Sequence, residues 1–271
     1  MKISATSALV LNWTHSEIWQ SPAAKAYNAQ LDLSEGDNLL SQFSEHENYM
    51  HTQSVSNRKY FVRKKALEFA TQHAHAQFLI MGAGIAPLSV EIASLYPTAK
   101  VFDIDRYLMD DKKAMLNNQF ENIHFITCDL NQHQELESLL KENGWQPQHP
   151  SLIILEGIIY YLDKNALMGL LQFFADKNVA LCGDFALTPE TVSEQNRKFG
   201  TGVFQKISRS VGDITVQFYD PNAFIKMLDT WGYPNPVRVL MSAIQIERTG
   251  AVTPYEGTES GWISLFHANF S

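Results

Sequence analysis

The spacing of apolar residues changes rhythm about a quarter of the way along the chain. Ahead of residue 75 it is helical. Between Tyr60 and Ala70, Phe61, Val62, Leu67 and Phe69 recur among Arg63, Lys64 and Lys65, which predicts an amphipathic helix. Residues 1–75 therefore read as a helical cap, with loop signals at Ser21-Pro22 and Ser34-Glu35-Gly36-Asp37. Beyond it, short apolar runs alternate with amphipathic stretches. Runs at 77–81, 100–105, 123–128, 152–155 and 179–182 read as strands, and helices are expected at 87–96, 107–120, 134–143 and 164–175. Unbroken apolar runs of this length suit strands covered on both faces, as in a parallel sheet. The alternation predicts an α/β fold of Rossmann type, a mostly parallel seven-stranded sheet with helices on both faces.

Residues 186–215 break the pattern. They are polar, carry Gly200, Gly202 and Gly212, and read as an insertion or lid. Residues 216–271 supply a helix at 221–231, with Phe224, Ile225 and Leu228 on one side, and two closing strands at 237–246 and 262–270. The expected organisation is one domain with its core at 76–185.

Composition narrows the possibilities. A chain of 271 residues that is 45% hydrophobic and 18% charged can bury a sizeable core and is no disordered polymer. A net charge of -8 gives no electrostatic footprint for phosphate backbones, so nucleic acid is not expected as a partner. The apolar run at 8–11 is broken by Asn12, and no stretch approaches the roughly 20 apolar residues of a membrane helix. Cys128 and Cys182 form no CxxC pair and read as buried thiols, so neither zinc nor a disulfide is expected and a reducing cytoplasm is.

Ligands of open α/β sheets bind beyond the carboxyl ends of the strands. The first strand ends in Gly82-Ala83-Gly84-Ile85-Ala86-Pro87, where glycines let backbone approach a ligand. Pro87 replaces the third glycine of a dinucleotide fingerprint, and a simple tight turn is the alternative. The second strand ends in Asp103-Ile104-Asp105. Asp105, nearer the end, suits two ribose hydroxyls, or else caps the next helix. Asp129 and Leu130 follow the third strand and suit the amine and ring of an adenine, with an N-cap as the alternative. Glu156 follows four apolar residues, where burial is costly unless a cation compensates. The strand at 179–182 ends at Gly183-Asp184, and acids after four consecutive strands favour a nucleoside ligand carrying a cationic group.

These segments together resemble the leucine carboxyl methyltransferase family, class I enzymes that esterify carboxylates. Asn57-Arg58-Lys59-Tyr60-Phe61-Val62-Arg63 is similar to its NRxYFxR stretch, Leu79 to Gly84 to its VxLGAG loop, Phe102 to Asp105 to FEVD, Asp129-Leu130 to its DL pair, and Leu155 to Leu162 to AEGxxxYL. The resemblance implies S-adenosylmethionine as cofactor and a small-molecule substrate. It also implies roles: Arg63 on the methionine carboxylate, Gly82 and Gly84 along methionine and ribose, Asp105 on the ribose, Asp129 and Leu130 on adenine, Glu156 on the ammonium group, and Tyr161 near the methyl group or the substrate. On the helix alone, Arg63 also reads as a solvated charge. Two departures stand out. Ile85-Ala86 occupies the place of the family's Asp-Thr, and Val10 that of an early basic residue, which favours a metabolite over a protein phosphatase as acceptor.

A carboxylate is ionised at neutral pH and needs no strong base. No histidine stands out as one; His46 and His51 are candidates from the cap, with surface positions as the alternative. Tyr27, Tyr49, Tyr160, Tyr161 and Tyr219 can shape a pocket or sit in the core. Two rival readings share part of the pattern: an NAD(P)-dependent oxidoreductase, and a protein that binds the cofactor without turnover.

Overall fold

The structure, a computed structural model, describes residues 3–211, 215–255 and 261–269. The N-terminal part is helical: α1 (Ala5–Asn12), α2 (Pro22–Asn28), α3 (Ser34–Leu40) and the long α4 (Glu45–Gln72). Ser44 and Glu47 form a reciprocal capping box that starts α4. The two expected loop signals are helix starts instead. Ser21 accepts the Ala24 N–H with Pro22 at the first helical position, where its missing N–H costs nothing, and Ser34 opens α3.

The sheet runs β1 (Gln77–Met81), β2 (Lys100–Asp105), β3 (Ile123–Thr127), β4 (Ser151–Leu155), β5 (Val179–Ala186), β6 (Val237–Val239) and β7 (Ile263–Ala268). Their spatial order is β3-β2-β1-β4-β5-β7-β6. The first five are parallel, and β7 lies antiparallel to both β5 and β6. The central strands β1, β4 and β5 are buried along their whole length, as their unbroken apolar runs require. Sequence order reverses between β1 and β4, which opens a crevice at the carboxyl ends of the strands. The crossovers and flanks carry α5 (Leu88–Leu95), α6 (Met109–Leu116), α7 (Leu136–Glu142), α8 (Lys164–Phe174), α9 (Glu194–Val211), α10 (Pro221–Thr230) and α11 (Met241–Thr249).

Several expected elements are shorter or different. Helix α6 covers eight residues of 107–120, because Leu108, Asn117 and Asn118 take positive φ and close it at both ends. The stretch before α7 is a kinked 3-10 segment, Leu130–Glu135. Of the strand expected at 237–246 only Val237–Val239 forms. Met241, Ile244 and Gln245 are then buried at helical spacing while Ile246 is exposed, so α11 follows. The stretch 186–215 contains α9, whose Phe199, Val203, Phe204 and Ile207 form a buried stripe. Residues 212–214 and 270 lie outside the described residues. Among the described residues no helix is long and apolar enough to cross a membrane.

Candidate functional site

One cavity of about 570 Å³ opens at the carboxyl ends of β1, β2, β3 and β4, a size that suits a small-molecule ligand. Gly82, Gly84, Asp105, Asp129, Leu130, Glu156 and Tyr161 all line it. The glycine loop turns through positive φ at Gly82 and Gly84, which L side chains adopt only under strain. A Cβ placed on Gly84 would meet no atom within 4 Å, so open space lies beside that backbone.

Asp105 is held by backbone. Its Oδ2 accepts the Gly84 N–H at 2.9 Å and its Oδ1 the Tyr107 N–H at 3.0 Å. Burial raises its pKa against the pull of those two donors. Asp129 accepts the Asn131 N–H at 2.9 Å, a local turn bond, and Leu130 beside it is buried. Tyr107, 63% exposed, also lines the cavity, with the Arg106 guanidinium 4.7 Å from its ring centre.

Glu156 is largely shielded from solvent, with 9% of its side chain exposed, and the cation that compensates it belongs to the chain itself. Arg58 Nε donates to its Oε1 at 3.1 Å and Lys59 Nζ at 2.8 Å, both reaching over from α4. Burial works to raise the Glu156 pKa, but Lys59 and Arg58 outweigh it and hold the carboxyl below its usual range. Arg58 Nη1 also donates to the Tyr160 hydroxyl at 3.0 Å. The guanidinium lies over Gly157, its Nη2 3.2 Å from where a Cβ would stand. A side chain there would push Arg58 away.

Asp184, fully buried on β5, completes the cluster. Its Oδ1 accepts the Gly157 N–H at 2.6 Å, and its Oδ2 lies 3.7 Å from Arg58 Nη1 with no hydrogen-bond partner. Burial pushes this carboxyl up to about 6, against the opposing pull of Arg58 and of the Gly157 N–H. The ordinary value is 3.8, so the folded state holds the extra proton between roughly pH 4 and 6. The group's contribution to stability therefore falls as pH rises through that window. Asp184→Asn, which cannot ionise, is expected to gain in Tm relative to the parent from pH 4 to 6 and to gain nothing further above it. Calorimetry of both proteins from pH 4 to 8 checks this; a pH-independent difference contradicts it.

Arg63 is placed elsewhere. It does not line the cavity; its Nε and Nη2 bind Glu91 Oε1 at 2.7 and 2.6 Å, and Nη2 donates to Gln20 at 3.2 Å. Glu91 is wholly buried and also accepts the Gln20 and Ser21 N–H groups. Arg63 thus ties α4 to α5 and to the turn before α2. Five helical residues separate it from Arg58, about 140° around the axis, so the two point to different neighbours. From the same sequence segment it is Arg58 and Lys59 that reach the cavity, where Arg106 and Lys112 also contribute to the lining.

The remaining candidates divide in the same way. Tyr160 and Tyr161 line the cavity, and burial pushes the Tyr161 hydroxyl up to about 12, so it stays protonated. Tyr27 donates to the Ile85 carbonyl from behind the glycine loop. Tyr219 packs against Phe185 and Phe224, and Tyr49 is exposed away from the cavity. His51 is caged by Trp13, Phe43, Phe199 and Trp262, where burial pushes it down to about 3. Neither His51 nor His46 reaches the cavity, so neither is placed to act as a base. Val10 does line it, and leaves an apolar wall where the family resemblance puts a basic residue.

Residues 11–175 match the family model described as leucine carboxyl methyltransferase. No curated protein matches the chain in sequence. Among solved structures, a protein of Thermobifida fusca YX described as a candidate methyltransferase is 13% identical, with a TM-score of 0.62 over 98% of this chain and 94% of its own. A DUF574 family protein of Streptomyces avermitilis MA-4680 is 12% identical, with a TM-score of 0.64 over 98% and 97%. The S-adenosylmethionine-dependent methyltransferase SibL, in its apo form, is 13% identical, with a TM-score of 0.51 over 97% and 67%.

Proposed function

The chain belongs to the leucine carboxyl methyltransferase family of S-adenosylmethionine-dependent enzymes, and we propose that it methylates a carboxylate oxygen of a small molecule. The observation that carries this reading is the mixed lining of the cavity. Charged residues (Arg58, Lys59, Asp105, Asp129 and Glu156 among them) line it with Val10 and Leu11 of α1, Ile207 of α9, Ile158 and Leu162 after β4, and the hydroxyls of Ser4, Ser7, Tyr160 and Tyr161.

The charged residues and the glycine loop fit the cofactor. The Gly82–Gly84 backbone and Asp105 take the ribose and its methionine arm, and Asp129 with Leu130 takes the adenine. Arg58 and Lys59, not Arg63, take the methionine carboxylate, and Glu156 faces the ammonium group. When bound, the cofactor supplies an electrophilic methyl group on a cationic sulfur.

For the acceptor, the chain contributes orientation and low polarity. A carboxylate attacking a sulfonium cancels two charges, so surroundings that solvate separated ions weakly favour the transition state over the ground state. No base is required, and among the described residues no histidine lines the cavity. The Tyr161 hydroxyl, held protonated, is a donor that orients the acceptor, and α1 with α9 excludes water. Proximity then does most of the work.

Incubation with methyl-labelled S-adenosylmethionine and a panel of apolar carboxylic acids tests this. The expected product is an ester whose label is released by base as methanol. Label only on phenols or amines would refute the carboxylate reading. Asp105→Ala is expected to weaken S-adenosylhomocysteine binding by about 1.5–3 kcal/mol, the loss of charge-assisted hydrogen bonds, as measured by titration calorimetry.

A further inference from the structure

The loop that follows Gly84 has no polar side chain of its own: Ile85, Ala86, Pro87 and Leu88 complete it. Its shape is imposed from outside. Tyr27 Oη donates to the Ile85 carbonyl at 3.1 Å, and Lys112 Nζ donates to the Ala86 carbonyl at 2.8 Å. Lys112 comes from α6 and is fully buried, an unusual place for an ammonium group unless it is paired. Its partner is Asp103 on β2, with Oδ2 at 2.7 Å, and the same oxygen accepts the Ser89 hydroxyl at 2.6 Å. The ammonium therefore joins β2, α5 and the loop at one point in the wall of the cavity, which Lys112, Asp103 and Ser89 all line.

We propose that Lys112 is a positioning residue. Its ammonium, anchored on Asp103, clamps the Ala86 carbonyl, and so holds the glycine loop where the Gly84 N–H meets Asp105 and the backbone lies against the cofactor. This rests on the cofactor assignment above. It accounts for a loop that lacks the family's Asp-Thr: an internal lysine supplies the polar contact that those side chains do not. Two carbonyls of cavity-lining residues, each tied by a buried donor, hold the loop in place before any ligand arrives, which lowers the ordering cost of binding.

The test uses Lys112→Met and the double variant Asp103→Leu/Lys112→Met, which replaces both charges by apolar groups of similar size so that no buried charge is left unpaired. Amide hydrogen exchange is read without ligand. The clamp predicts that Gly84 loses protection in both variants while Leu79 and Ile80 on β1 keep theirs; general destabilisation would move all three. Titration with S-adenosylhomocysteine then predicts a Kd raised about tenfold or more. If the single variant fails to fold, the double variant gives both readings. Unchanged Gly84 protection, or parent-like affinity in a folded variant, overturns the proposal. Absence of binding by the parent protein would instead reject the cofactor assignment, and the exchange measurement would still judge the clamp.

Discussion

Glu156→Ala is expected to destabilise the fold by about 3–5 kcal/mol, because it leaves Arg58 and Lys59 buried beside each other without their shared carboxylate. Arg58 keeps Tyr160 and a distant Asp184, and neither replaces a direct ion pair. The loss exceeds what an exposed pair would show, since both cations are largely buried and meet solvent only through the cavity. Urea unfolding monitored by circular dichroism gives the number; a change below about 1 kcal/mol would mean that the two cations find solvent or another acceptor.

A second large effect separates the two arginines of α4. Arg63→Ala removes the counter-charge of wholly buried Glu91 and is expected to cost about 3 kcal/mol of stability, softened by the two backbone N–H donors that remain on that carboxylate. Its folded fraction, studied at low temperature, should bind S-adenosylhomocysteine within about twofold of the parent, because nothing it touches lines the cavity. Arg58→Ala should do the reverse in binding and lower affinity by about tenfold or more. Parent-like affinity in Arg58→Ala with a large loss in Arg63→Ala would restore the assignment that the resemblance implies.

The contrast shows where a sequence stops speaking. The strands were legible because burial on both faces leaves little but apolar residues, and the strand ends because Asp105, Asp129 and Glu156 stand out against that background. The same apolar density hid the exceptions. Residues 241–249 carry enough apolar residues to pass for strand, and only the burial of Met241 and Ile244 with Ile246 outside reveals the helical period. Glu156 called for a cation; that its partners come from the chain, nearly 100 residues earlier, is a fact of tertiary packing. Arg58 and Arg63 sit in one motif, and their helical phase separated them without saying which faced the site. Asp184 was visible as the end of a strand, but its closeness to Arg58 depends on β4 and β5 being neighbours. Lys112 falls within the helix expected at 107–120, and nothing local marks a lysine that turns inward to a strand aspartate.

All of these roles assume that the strand-end residues of β1 to β4 converge on one nucleoside-sulfonium ligand. Titration calorimetry of the intact chain with S-adenosylhomocysteine measures that convergence most directly. The expected result is one site per chain with a Kd on the order of micromolar or tighter, about −8 kcal/mol. No heat at millimolar ligand from a folded protein would contradict it.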